Sequence, residues 1–261
     1  MRSTLWIAAV ICLLFLPYSI VAAEETSPID QLSHLSDEAL QLTKSKRYED
    51  AKKILDTFSD KFSTAAIRDQ SFSMDEVRIV TITHNEAVEA MSNTEMDPDE
   101  RINRVTKLRL VIDAISSTKE PLWTSLREPI LEVYHAAKEA ALNGEEAMFN
   151  ENLDSFLSLY DMIYPSMKID VPVERIQELD TRVKYVDEYR THVLMEQQAA
   201  QEFFALETNL QTIFEGVIED EADPSLWWVI ISTGSIIVLT LSYVGWRKFK
   251  GEREKRKTPS R

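Results

Sequence analysis

The chain has 261 residues, with 29 Lys and Arg against 44 Asp and Glu, and a formal net charge of −15. So acidic a chain is a poor phosphate binder, which argues against a nucleic-acid partner, and its one cysteine, Cys12, excludes a disulfide scaffold and any zinc site that needs two thiolates. The charge is divided along the chain: residues 24–246 hold 20 basic and 42 acidic side chains, whereas the last 15 residues hold 8 basic and 2 acidic.

Residues 1–23 contain a single basic residue, Arg2, then an apolar run over 5–16, then Pro17 and Val21-Ala22-Ala23 ahead of Glu24. The pattern predicts a signal peptide cleaved between Ala23 and Glu24, with an uncleaved anchor as the alternative. Both outcomes put residue 24 onward outside the cell. Cys12 reads as a small hydrophobe within that run, because Val10 and Ile11 before it are too bulky for a lipoprotein processing site.

From 24 to 223 the apolar residues recur at three- and four-residue spacing, which predicts helices. Leu32, Leu35, Ala39 and Leu42 make a first stripe, broken at 44–47. Tyr48, Ala51, Ile54, Leu55, Phe58 and Phe62 make a second. Ser73 and Glu76 fit a capping box ahead of Val77, Val80, His84, Ala87 and Met91. The β-branched run 77–83 suits a strand by composition, but the cap and the following period favour helix. Asp97-Pro98 is an N-cap followed by a first-turn proline, opening a helix through Ile102, Val105, Leu108, Leu110, Ile112 and Ile115. Pro121 is expected to open a fifth helix, kinked at Pro129 and ended by Asn143-Gly144. The sixth is expected over 146–164, followed by a linker at 165–172 (PSMKIDVP). Residues 173–217 then run without proline and predict one long helix, or two separated near Gln197-Gln198.

The stretch 226–246, LWWVIISTGSIIVLTLSYVGW, has no charged residue and would span about 30 Å as a helix. Trp227 and Trp228 sit at one end, Tyr243 and Trp246 at the other, where aromatic rings favour the headgroup interface, and Arg247 and Lys248 follow at once. A transmembrane helix with a basic cytoplasmic tail at 247–261 is the expectation. That tail also suits attraction to anionic lipid.

Catalytic patterns are missing from the sequence. There is no GxSxG, Walker loop or dinucleotide fingerprint, and His34, His84, His135 and His192 fall on separate helices without metal-ligand spacing. Trp123 is expected in the core. Two helix pairs look alike, 35–62 with Lys46-Arg47-Tyr48-Glu49-Asp50-Ala51 at its turn and 135–164 with Asn143-Gly144-Glu145-Glu146-Ala147 at its turn. Such pairs suit either a tetratricopeptide-like hairpin surface or an ordinary antiparallel bundle.

The chain also resembles the YpjB family of sporulation proteins from endospore-forming bacilli. The residues that carry the resemblance are the leader, RYEDAKKIL at 47–55, VRIVTITHNEA at 77–87, RVTKLRLVIDA at 104–114, PLW at 121–123, and the terminal apolar stretch with its basic tail. The resemblance implies a membrane protein associated with sporulation, and no active site.

The expected architecture is an all-α extracytoplasmic domain over 24–225, an antiparallel bundle or tetratricopeptide-like hairpins, with one span and a short tail. The expected function is a non-enzymatic scaffold at the cell membrane that needs no metal or cofactor. Its partners would be the lipid bilayer and a protein met by the acidic helices; its oligomeric state is left open. The alternative is a membrane-bound enzyme, or a regulator of a cell-wall enzyme, with a carboxylate site.

Overall fold

The computed structural model describes residues 27–69, 72–117, 120–188, 190, 199–219, 232–238 and 240–241, and all its regular structure is helical. Ser27 accepts the Asp30 N–H, and Pro28 occupies the first turn of α1 (Pro28–Lys44). Helix α2 (Tyr48–Thr64) ends in a π-turn at Ala65–Asp69. The capping box forms as the sequence predicts: Ser73 Oγ accepts the Glu76 N–H at 3.2 Å and Glu76 Oε2 accepts the Ser73 N–H at 2.6 Å. It starts α3 (Met74–Ser92), so the β-branched run is helical. Asp97 accepts the Asp99 N–H at 2.8 Å and starts α4 (Pro98–Ser116).

The second half departs from the sequence reading in two places and decides a third that the sequence left open. Pro121 opens a 3-10 turn (Leu122–Leu126), not an α-helix, and α5 begins after it (Arg127–Asn143). Pro129 is therefore the third residue of α5, where its missing N–H costs no helical bond, and the expected kink has no cause. The expected linker at 165–172 is helix for most of its length, because α6 (Glu146–Asp170) runs straight through Pro165. Burial of Met162, Ile163, Ser166 and Met167 around the proline outweighs the one backbone bond it forfeits. Of the one helix or two left open for it, 173–217 takes the two. It is divided into α7 (Val173–Glu188) and α8 (Ala199–Glu219), which fold back on each other. Arg182 reaches Glu202 at 3.0 Å, and Arg175 lies against Gly216, so the two run antiparallel.

Among the described residues, α1 to α8 form two four-membered rings. In the first, α1 packs on α2, α2 on α3, α3 on α4 and α4 on α1. In the second, α5 packs on α6, α6 on α7, α7 on α8 and α8 on α5. Closure of each ring makes a bundle and not a solenoid, in which a unit would touch only its neighbours in sequence. The rings join where α4 lies along α6, and α4 supplies both cores. Val105, Leu108, Val111 and Ile112 face the first core, while Leu110 and Ala114 face the second. A helix that is apolar on nearly every side is what a position between two cores requires.

The two hairpins that look alike in sequence share one turn. Lys46 (φ 59°) and Gly144 (φ 74°) both adopt the left-handed conformation. After them, Arg47 N–H bonds the Leu42 carbonyl at 2.9 Å and Glu145 N–H bonds the Ala140 carbonyl at 2.8 Å, the same Schellman closure. The hairpins α1–α2 and α5–α6 thus open the two rings equivalently.

Eight helices alternating up and down bring Pro28 and Glu219 to the same end of the molecule. Cross-contacts fix the directions: His84 Nε2 donates to the Leu55 carbonyl, Lys107 meets Glu86, Arg109 meets Asp37, and Arg127 meets Glu215. The turns after α2, α4 and α6 share the end that holds the two termini. Those after α1, α3, α5 and α7 lie opposite.

Candidate functional site

Helices α7 and α8 carry on their common surface an open groove of about 680 Å³. Glu174, Gln177, Glu178, Thr181, Arg182 and Tyr185 line it from α7, at the spacing of one helix face, and Glu202 lines it from α8. A smaller cleft of about 130 Å³ continues past Glu178 to Arg175, Asn209, Thr212 and Ile213. Arg182 spans the groove, bonding Glu202 at 3.0 Å and Glu178 at 3.3 Å, and its Nε is enclosed without an acceptor among the described residues. Hydrogen bonds from Asn209 and Arg182 hold the Glu178 carboxyl below the usual range. The lining is therefore polar, with three carboxylates to one central guanidinium, and suits a partner that brings amines or guanidinium groups.

A second cluster sits beneath the 3-10 turn. Trp123, fully buried against Phe214 with ring centres 5.3 Å apart, donates its indole N–H to Asp170 Oδ2 at 2.7 Å. Asp113 Oδ2 accepts the Leu122 N–H at 2.6 Å. Burial raises the Asp170 carboxyl to about 6; the Trp123 N–H opposes that rise and the Asp113 charge adds to it. Two neighbouring carboxylates with one pKa raised have the outline of an acid–base pair. Here they hold the 3-10 turn against α4 and α6, and neither lines the two grooves described.

The remaining buried charges join helices. Lys107 links α4 to Glu86 on α3 and Asp161 on α6. Burial alone would lower its pKa, but the bonds to Asp161 and Glu86 hold it above the usual range. Glu207 on α8 takes Lys138 at 2.6 Å and also meets His135. Burial would raise its carboxyl, yet the two partners hold it low. Arg101 donates to the Ala90 carbonyl at 2.6 Å, the Met96 carbonyl at 3.1 Å and the Asn93 carbonyl, closing the end of α3.

Among the described residues no three His, Cys, Asp or Glu side chains converge as metal ligands. His34 is exposed on α1, His84 stacks on Phe58 and His135 pairs with Glu207, three separate surroundings. The expected cleavage site Ala23–Glu24, the interface residues Trp227, Trp228, Tyr243, Trp246, Arg247 and Lys248, and His192 lie outside the described residues. Of the expected span 226–246, residues 232–238 and 240–241 are described and helical. Among the described residues no helix is long and apolar enough to cross a membrane.

Sequence reading alone missed both the groove and the Trp123–Asp170 pair. The i, i+4, i+8 series Glu174, Glu178, Arg182 was legible as one polar face. What faces it was not, because the sequence left one helix or two open over 173–217 and does not show that two would fold back on each other. Asp170 fell inside the segment expected to be a linker.

This architecture defines an all-α protein built of two fused four-helix bundles. The chain belongs to the sporulation protein YpjB (SpoYpjB) family, whose model matches residues 29–258. It is 32% identical over 259 residues, 98% of each chain, to the uncharacterized protein YpjB of Bacillus subtilis (strain 168). No solved structure matches it.

Proposed function

We propose that this sporulation-family protein is a single-pass membrane protein whose helical domain stands outside the membrane and serves as a non-enzymatic scaffold for a protein partner. In this reading a leader is removed after Ala23, the span is 226–246, and the tail 247–261 is cytoplasmic. The observation that carries it is the terminal apolar stretch. Its described part is helical, and Ile236, Ile237, Val238 and Leu241 are all more than half exposed. An apolar helix bare on all sides is stable in lipid and unstable in water. Basic residues on one side of it and an acidic domain on the other support the orientation.

The α7–α8 groove is the surface we assign to the partner, a protein segment carrying Lys or Arg. The enzyme alternative has less support, because one oxygen of Asp113 and one of Asp170 are held by the Leu122 and Trp123 N–H groups and neither carboxyl lines a groove.

The test places a photoreactive side chain at Thr181 in the groove, and separately at Glu132 on α5, in full-length protein in membranes of sporulating cells. The expected result is a protein adduct at 181 that is absent at 132 and lost with Glu178→Lys. Equal adducts at both positions, or none at 181, would overturn the scaffold assignment. Recovery of the chain outside the membrane fraction would overturn the anchoring.

A further inference from the structure

Large apolar side chains lie exposed at both ends of the helical domain, Leu142, Met148 and Phe204 at one and four at the other. The two most exposed are Met74 (84% exposed) and Ile67 (80% exposed), which flank the turn between α2 and α3. Their neighbours Phe62 and Phe72 pack on each other with ring centres 5.2 Å apart, so the turn itself is anchored. Val173 (58% exposed) begins α7 and Leu122 (43% exposed) begins the 3-10 turn. All four lie at one end of the molecule. The α3–α4 pairs Glu86–Lys107 and Glu89–Arg104 put Met74 level with the end of α4. The Asp113–Leu122 and Trp123–Asp170 bonds then put the 3-10 turn and the α6–α7 turn at that level too.

This is also the end at which α8 finishes. Six residues, 220–225, separate Glu219 from Leu226, the first residue of the apolar stretch. However they are arranged, a trans chain of that length reaches no further than about 25 Å. A domain tied so closely to a span has no freedom to hold this end far from the headgroups. Singly exposed hydrophobes are ordinary, and the opposite end carries Leu142, Met148 and Phe204; the tethered end differs in holding the two most exposed, Met74 and Ile67, and in its closeness to the apolar stretch.

We infer that this end of the helical domain rests on the lipid surface, with Ile67, Met74, Leu122 and Val173 entering the bilayer interface. The inference rests on the membrane-anchored reading above and adds to it an orientation: the helices stand upright on the membrane. It also points the turns after α1, α3, α5 and α7 away from the bilayer. The net negative charge of the domain restricts the contact to apolar insertion and gives anionic headgroups no part in it.

The experiment uses the full chain with Cys12→Ser, reconstituted in phosphatidylcholine vesicles containing lipid brominated on the acyl chain. Single cysteines carrying an environment-sensitive fluorophore are introduced as Ile67→Cys, Met74→Cys, Leu122→Cys and Val173→Cys. Leu142→Cys and Met148→Cys, about half exposed at the opposite end, are the controls, and Val238→Cys reports the apolar stretch itself. Expected are a blue shift and bromine quenching at 67, 74, 122 and 173, none at 142 and 148, and the strongest quenching at 238. Quenching at 238 with the four positions no different from 142 and 148 would overturn the orientation and leave the anchoring intact. No quenching at 238 would overturn the anchoring and this inference together.

Discussion

Replacing Asp170 by Asn should stabilise the protein at neutral pH and leave it unchanged in acid. The carboxyl has an ordinary value of 3.8 and is raised to about 6 in the folded chain, chiefly by burial. A group raised in this way binds its proton more tightly in the folded state. Its favourable contribution is therefore complete below pH 3.8 and is lost as pH rises towards about 6. Above that, ionised Asp170 costs about 3 kcal/mol, at 1.36 kcal/mol per unit, and partial exposure reduces this to about 2 kcal/mol. Asn carries no charge and still presents an acceptor to the Trp123 N–H. Urea unfolding of the full chain in detergent, followed by far-ultraviolet circular dichroism, gives the difference between variant and parent at each pH. Taking that difference removes the opposite trends of Asp50, Glu178 and Glu207, whose carboxyls are held low and whose contributions disappear in acid. The expected gain is about 2 kcal/mol at neutral pH, shrinking to nothing in acid. A gain or loss that does not vary with pH would refute the reasoning, since Asp170 would then titrate as a solvated carboxyl.

Arg101→Met should cost about 3 kcal/mol, because it removes a charged donor from the Ala90, Asn93 and Met96 carbonyls at a site where Arg101 is only 4% exposed. Arg101→Lys should recover little of this, since one ammonium cannot serve three carbonyls spread around a guanidinium; denaturant midpoints at constant slope check both. The two matched turns should respond with opposite signs in the same assay. Gly144→Ala should cost about 1 kcal/mol purely through its left-handed backbone, because nothing lies within 4 Å of the added Cβ, and Lys46→Gly should gain a similar amount.

What the sequence determined by itself was the set of helices, because their signals are local. The Ser73–Glu76 box, the Asp97-Pro98 start and the Asn143-Gly144 stop each act within one or two turns, and each operates in the structure as expected. The apolar stripes likewise named most of the core, Trp123 included. The sequence also showed two like hairpins, but not that both open closed rings. That depends on contacts such as Arg109 with Asp37, 72 residues apart, which no local pattern encodes. Pro165 shows how packing overrides a local signal: a residue that ends helices lies inside one because both of its flanks are buried. The break between α7 and α8 needed no proline or glycine, because the two apolar faces gain more by meeting each other than by continuing in line. The groove on α7–α8, the raised Asp170 and the common end of Pro28 and Glu219 all follow from that folding back and from the pairing of distant helices. Tertiary structure alone decided them, since burial and alignment exist only once the helices are packed.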